Sequence, residues 1–156
     1  MVAKISLNKR SFVTAALCSA LMGCLTAAAQ DMPERDSPAV SILDLMEKTI
    51  TPASNTLWGA YDAPADETAW QQLEEAAVTM IVATEVNALG GTGPSDDEWA
   101  SSPAWQAFNS VMLTASQDAL DAIRTRNHDA LLAAGDVLYP PCEGCHLQFN
   151  PGVAGD

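Results

Sequence analysis

Apolar residues recur every three or four positions in four stretches of this chain, and this spacing constrains the fold more than any other feature. Such a period is typical of amphipathic helices that bury one face. No stretch alternates with the period of two that marks a half-buried strand. The chain is therefore predicted to be all-α, folded as an up-down-up-down four-helix bundle.

Capping residues and prolines predict where the helices begin. Ser37-Pro38 indicates the start of the first helix, because serine caps helices and proline favours their first turn. Thr51-Pro52 repeats this pattern and predicts a kink, after which the helix resumes toward Trp58. The other predicted segments are a helix over 66–89, a turn-rich connection over 90–97, a helix from Ser102-Pro103 and a helix capped by Asn127. Core-facing residues predicted on the first and last helices are Ile42, Leu43, Leu45, Met46, Ile50, Leu131, Leu132 and Leu138.

The N-terminal residues have the order of an export signal. Three basic residues open the chain, an almost uncharged apolar run follows over 11–25, and alanines at 27–29 offer a cleavage site. The run is too short to span a bilayer comfortably. The predicted organisation is an export signal over 1–29, a flexible linker over 30–37 and a helical domain over 38–156.

Two routes of processing remain open. Leu21-Met22-Gly23-Cys24 resembles a lipobox, and its use would place a lipid on Cys24 and hold the protein at a membrane. Cleavage after Ala29 would instead release it into the periplasm. No second apolar run of about 18 or more residues follows, so the mature part is predicted to be soluble or only tethered.

The predicted mature part is strongly acidic. It holds all twenty acidic residues and only four of the seven basic ones, a net charge of −16. This balance excludes nucleic acid as a partner, because almost nothing is left to neutralise phosphates. It favours a basic redox partner protein, although the charge could also serve solubility alone.

Near the C-terminus, Cys142-Glu143-Gly144-Cys145-His146 forms the C-x-x-C-H attachment pattern of c-type haem. On one helical turn, both thiols can reach haem vinyl groups and form thioethers, while the imidazole binds the iron. The pattern predicts one covalently attached haem c, with His146 as an axial ligand.

Three other interpretations of the two cysteines compete with haem. A small disulfide is one. A thioredoxin-like redox pair is another, but it belongs in a βαβ setting that this chain does not predict. A structural zinc site needs four ligands, and the only other histidine is His128, predicted to be exposed at a helix start.

An exported chain with four predicted helices and a single C-x-x-C-H in its last fifteen residues resembles the class II c-type cytochromes, the cytochrome c-prime superfamily. Leu138-Tyr139 ahead of the motif carries the specific part of the resemblance. In low-spin members a methionine of the first helix binds the iron, and Met46 occupies that helix here. If Met46 does not bind, the resemblance implies an open iron site behind Ile42 or Leu43.

The chain departs from this family at two places. Pro140-Pro141 directly precedes the motif, so the last helix is predicted to break at Tyr139 and restart at Pro141. Asn150 stands four positions after the histidine, where the family usually carries a basic residue. Both departures weaken the transfer of the family's gas-sensing role.

The leading functional hypothesis is a periplasmic monohaem electron carrier that is not an enzyme. A five-coordinate haem protein that binds nitric oxide or carbon monoxide is the alternative. A third hypothesis is a small haem subunit of a larger redox complex, and a homodimer also remains open.

Overall fold

The structure, a computed structural model, describes residues 38–150 and Gly152. The predicted export signal, its lipobox at Cys24 and the linker lie outside the described residues. The helical elements are α1 Ile42–Leu45, a π-helical turn Met46–Ile50, α2 Thr51–Trp58, α3 Glu67–Ala88, α4 Asp96–Ser101, α5 Pro103–Arg124 and α6 His128–Phe149.

All regular elements in this part of the chain are helical, which confirms the predicted all-α class. The three long helices α3, α5 and α6 pack against one another in a bundle-like arrangement, and α2 packs on α3. Over 38–150, no helix combines the length and the apolar character that crossing a bilayer demands.

The main core lies where the long helices meet. Ala77 and Ala115 are fully buried and keep side-chain volume small on α3 and α5, while Met80 and Ile123 fill the adjacent space. Burial of such large apolar side chains stabilises the fold by about 1.5–3 kcal/mol each. Most predicted core positions are confirmed. The exceptions are Leu43 and Leu132, which are 59% and 38% exposed, and Met46 is half-buried.

Both exceptions have the same geometric cause. Each leucine directly neighbours a core residue, and successive helical residues point about 100° apart around the axis. Ile42 and Leu131 face the core at 4% and 1% exposure, so the residues that follow them turn outward.

Three predicted helix starts are confirmed. The Asp66 side chain accepts a hydrogen bond from Ala69 N at 3.0 Å and caps α3. Ser102 precedes Pro103 at the start of α5. The Asn127 side chain accepts from Ala130 N at 3.1 Å and caps α6. Asp66 and Asn127 each accept from an N–H group that has no partner inside the helix, whereas Ser102 makes no such side-chain bond.

The predicted start of the first helix is wrong. The helix begins at Ile42, after Ser41, whose Oγ accepts from Asp44 N at 3.1 Å. The start is fixed by a distant residue, because Asp96 Oδ2 accepts from Ile42 N at 2.9 Å and from Gly93 N at 2.7 Å. Asp96 opens α4, a short helix that overlaps the stretch predicted as turns.

Replacing Asp96 by alanine is expected to lower the free energy of unfolding by about 3–6 kcal/mol. Two backbone N–H groups lose a carboxylate acceptor, and hydrogen bonds to charged groups contribute roughly 1.5–3 kcal/mol each. Urea unfolding of the variant measures the loss. Glu98→Ala, at an exposed position of the same helix, is the control. A loss below about 0.5 kcal/mol in Asp96→Ala, which is typical of surface substitutions, would contradict the stabilising role of these two hydrogen bonds.

The predicted irregularity near Thr51-Pro52 is present, but as a π turn. Thr51 N donates to Met46 O, five residues back, and the chain stays helical from Ile42 to Trp58. Pro52 has no N–H to offer the Lys48 carbonyl, and its ring would crowd that carbonyl in a regular α-helix. The wider turn relieves this conflict, and it begins at Met46.

The predicted break of the last helix is also wrong, because α6 runs through Pro140 and Pro141 without interruption. The two prolines withhold hydrogen bonds from the carbonyls of Asp136 and Val137, and both of those residues are exposed, so water can serve those carbonyls. Pro141 itself is buried. Packing therefore holds this segment in the helix despite the missing bonds.

Candidate functional site

A cavity of about 290 Å³ lies beside the C-x-x-C-H turn of α6. It is lined by residues of the first helical segment, which runs from Ile42 to Trp58 through the π turn and α2, and by residues of α3, α5 and α6. Its lining consists of Met46, Ile50, Thr51, Ser54, Asn55, Trp58, Asn87, Phe108, Asn109, Met112, Tyr139, Pro141, Cys142, Glu143, Cys145 and His146. All three predicted attachment residues and the predicted methionine therefore share one cavity.

Both thiols at this cavity are free and neutral at physiological pH. Cys142 Sγ donates to Leu138 O at 3.3 Å and lies 3.8 Å from Met112 Sδ. Burial raises the pKa of Cys142 to about 11. Burial, with a smaller effect of Cys142, raises the pKa of Cys145 to about 12. A reactive redox pair needs a lowered thiol pKa, so this environment disfavours thioredoxin-like chemistry.

A small apolar cluster holds the C-terminal end of α6. Cys145 packs with Ile42 and Trp105, and Met46 and Phe149 contact the same cluster. The Phe149 ring meets the Trp105 ring edge-on at 5.1 Å. The first helical turn and the motif are therefore tied to one another through shared packing.

His146 and Met46 both present ligand atoms to the cavity. Within the described residues, the His146 imidazole makes no hydrogen bond, so either ring nitrogen is free to bind a metal. Met46 lies at the first position of the π turn and packs against both apolar clusters. No set of three or more histidine, cysteine, aspartate or glutamate residues in the described chain forms a site for a bare metal ion.

Gly144 lets an aromatic ring approach the motif closely. A Cβ atom at this position would lie 2.8 Å from Phe108 Cε1 and 3.2 Å from its Cζ. Phe108 belongs to α5 and packs on the cluster around Cys145. The glycine therefore allows α5 and the motif turn to come together.

Gly144→Ala is expected to destabilise the fold by about 1–3 kcal/mol, because the Phe108 ring must move within a packed region. Gly135→Ala on the same helix is the matched control. Its Cβ would meet Trp58 Cδ1 at an ordinary 3.6 Å, and alanine favours helix by up to about 1 kcal/mol. Thermal unfolding of both variants tests this contrast, and equal stabilities would contradict it.

The sequence did not predict that four of the residues that line this cavity belong to the site. Met112 and Phe108 have ordinary helical spacing, which gives no signal beyond core packing. Asn87 and Asn109 were not noted, although an asparagine on a helical face that is otherwise apolar is a usable signal. Their contacts, not their spacing, place them at the site.

His128 lies away from this site and is half-buried, not exposed as predicted. Its Nε2 is 2.9 Å from Ala60 O, which connects the start of α6 to the chain after α2. It stands at the opposite end of α6 from the motif and does not line the cavity.

Comparison with known proteins gives no relative for this chain. No protein-family model, no curated protein and no solved structure matches it.

Proposed function

We propose that this protein is a periplasmic monohaem c-type cytochrome of the class II kind that carries single electrons. Cys142 and Cys145 would hold the haem through thioethers, and His146 would be the axial ligand of its iron. Met46 would be the second axial ligand. The observation that carries the proposal is the shared cavity, because these four side chains come from two distant parts of the chain and line one space.

The donor set fits the haem group. Thioether formation consumes two thiols, and here two neutral thiols stand one helical turn apart beside an imidazole without a hydrogen-bond partner. Haem bound there would supply one-electron exchange between ferric and ferrous iron. Trp58, Phe108 and Met112 line the same space and would exclude water from it.

Directions of the helices support the proposed up-down-up-down arrangement. Trp58 Nε1 donates to Gly135 O at 3.2 Å, so the end of α2 lies near the first half of α6. Arg124 Nε donates to Glu74 Oε1 at 2.9 Å, which brings the end of α5 to the first half of α3. Both contacts are those expected if neighbouring helices run in opposite directions, as this class of bundle requires.

Charge distribution supports a basic partner that docks at the motif end, where Lys48 of the π turn is paired with Asp44. Arg124 is the last residue of α5 and pairs with Glu74, and Arg126 follows the helix and pairs with Glu67. The motif begins fourteen residues into α6, roughly 20 Å from that end at 1.5 Å per residue. Exposed Glu143 lines the cavity there. Docking at this end would make association with a basic redox protein faster at low ionic strength.

Exposed apolar side chains surround the same end. Tyr139 is 54% exposed, Leu147 59% and Leu43 59%. Apolar contacts of this kind, beside an exposed carboxylate such as that of Glu143, suit a transient protein interface.

The absorption spectrum of the mature protein, produced with a working haem-attachment system, tests the function. We expect sharp low-spin bands in the reduced state. A five-coordinate haem, as the gas-binding alternative requires, would lack them and would bind carbon monoxide at once. A protein without any haem spectrum would overturn both functions.

A further inference from the structure

Two buried asparagines form a polar wall in the cavity. Asn87 of α3 is 1% exposed and Asn109 of α5 is 3% exposed, and both line the space beside the motif. Asparagine is a weak helix former, and an apolar side chain would fill the same core position more favourably. We call this pair the asparagine wall.

Hydrogen bonds run through the asparagine wall in one direction. Asn109 Nδ2 donates to Trp105 O at 2.9 Å, and Asn87 Nδ2 donates to Asn109 Oδ1 at 2.8 Å. Asn87 Oδ1 is buried and has no donor. The series therefore ends on an acceptor that lacks a partner inside the cavity lining.

The orientation of both amides is fixed by this series. Turning Asn109 over would place its Oδ1 against Trp105 O, which can only accept. Turning Asn87 over would place two side-chain oxygens against each other. Because both reversals bring acceptors together, the unpaired atom of Asn87 must be its oxygen.

No donor of the described chain reaches Asn87 Oδ1, although the His146 imidazole and the buried Thr84 hydroxyl make no hydrogen bond of their own. Three other donors bond elsewhere. Trp105 Nε1 donates to Asn87 O at 2.9 Å, Trp58 Nε1 donates to Gly135 O, and the Cys142 thiol donates to Leu138 O. Attachment of haem would remove both thiol hydrogens and so would leave the need for a donor unchanged. A buried acceptor without a donor is costly, so a ligand must supply one.

We infer that Asn87 Oδ1 accepts a hydrogen bond from an O–H group of a ligand bound in the cavity. The O–H group belongs either to an ordered water molecule or to a protonated carboxyl group of the haem. Carbon monoxide and nitric oxide carry no hydrogen, so neither can donate to Asn87 Oδ1. The inference deepens the proposed function and rests on it only where haem supplies the O–H group.

Crystal structures of the mature, haem-loaded protein test the inference. We expect an oxygen atom within about 3.5 Å of Asn87 Oδ1, and its loss in the double variant Asn87→Leu, Asn109→Leu. The double variant is needed because removing Asn87 alone would strand Asn109 Oδ1. Ser116→Ala is the control, since buried Ser116 donates to Met112 O outside the asparagine wall.

The identity of the donor follows from two further observations. An isolated oxygen peak and a midpoint potential independent of pH identify water. A carboxyl oxygen, with a potential that falls as rising pH removes its proton, identifies the haem. The double variant should abolish that pH dependence.

If the crystal structure of the parent protein shows only carbon atoms around Asn87 Oδ1, the inference is overturned. This measurement does not depend on the folding of any variant. The mass of the same sample reports haem attachment separately. A chain without haem that still holds a donor at Asn87 would contradict the proposed function and support the inference. Attached haem together with an Asn87 Oδ1 that has no donor would support the proposed function and contradict the inference.

Discussion

A chain in which Cys142→Ser and Cys145→Ala are combined is expected to have the bare apoprotein mass after production with a working haem-attachment system. Both thioether bonds require a cysteine sulfur, and the described residues contain no other cysteine. The expected effect is complete loss of covalent haem. Mass spectrometry of the denatured protein measures it directly, since only thioether-linked haem survives denaturation.

These two substitutions suit the surroundings of each thiol. A serine at 142 can still donate to Leu138 O, as the Cys142 thiol does at 3.3 Å. Cys145 is 8% exposed and packs with Ile42 and Trp105, so alanine avoids burying an unpaired hydroxyl there. Far-UV circular dichroism should therefore remain helical in the variant.

Each single variant should retain a weaker attachment through the remaining sulfur, or none. His146→Ala removes the axial nitrogen, whereas His128→Ala removes the other histidine, which bonds to Ala60 O at 2.9 Å away from the cavity. Haem spectra should change in the first variant and persist in the second. Parent protein of apoprotein mass, made under conditions that load a known c-type cytochrome, would contradict the attachment.

Local signals in the sequence predicted three of the helix starts correctly. Asp66, Ser102 and Asn127 act within a few residues of themselves, so their effect on the backbone can be inferred without knowledge of the fold. The all-α class followed equally from the helical period of the apolar residues.

Long-range contacts explain the errors. Ser37-Pro38 has the chemistry of a helix start, but Asp96 binds Ile42 N from 54 residues away and fixes the start there. Pro140-Pro141 has the chemistry of a helix break, but Pro141 is buried and α6 continues through both prolines. In each case tertiary packing outweighs a local preference.

The candidate site likewise has one part that local sequence predicts and one part that depends on long-range contacts. The attachment residues occupy five consecutive positions, so their spacing alone predicts the chemistry. Asn87 and Asn109 are 22 residues apart and meet only because α3 and α5 pack together. Sequence spacing does not indicate which residues of two helices come into contact, so the asparagine wall could not be predicted from it.

The choice between electron carrier and gas binder depends on Met46. Two methionine sulfur atoms line the cavity, those of Met46 and Met112. Met112 Sδ lies 3.8 Å from Cys142 Sγ, the atom that would join the porphyrin edge, so Met112 belongs beside that edge. Met46 comes from the separate first helical segment, where the π turn begins. It is therefore the methionine we propose as the iron ligand.

Met46→Leu is expected to convert a low-spin haem into a high-spin, carbon-monoxide-reactive form. Loss of the soft thioether ligand removes its preference for ferrous iron and should lower the midpoint potential by on the order of 0.1 V, within the roughly 0.8 V that axial ligands span. The fold should lose less than about 1.5 kcal/mol, because methionine and leucine have similar volumes.

Met112→Leu is the matched control, since it makes the same chemical change in the same cavity. It should keep the spectrum and the potential of the parent protein, and redox titration with absorption spectroscopy compares the two variants. If Met46→Leu also keeps both properties, Met46 only packs the core, and the sixth position of the iron is filled by another group or is open. Reversed behaviour of the two variants would make Met112 the ligand, and the first helical segment would then serve only to close the cavity over the haem.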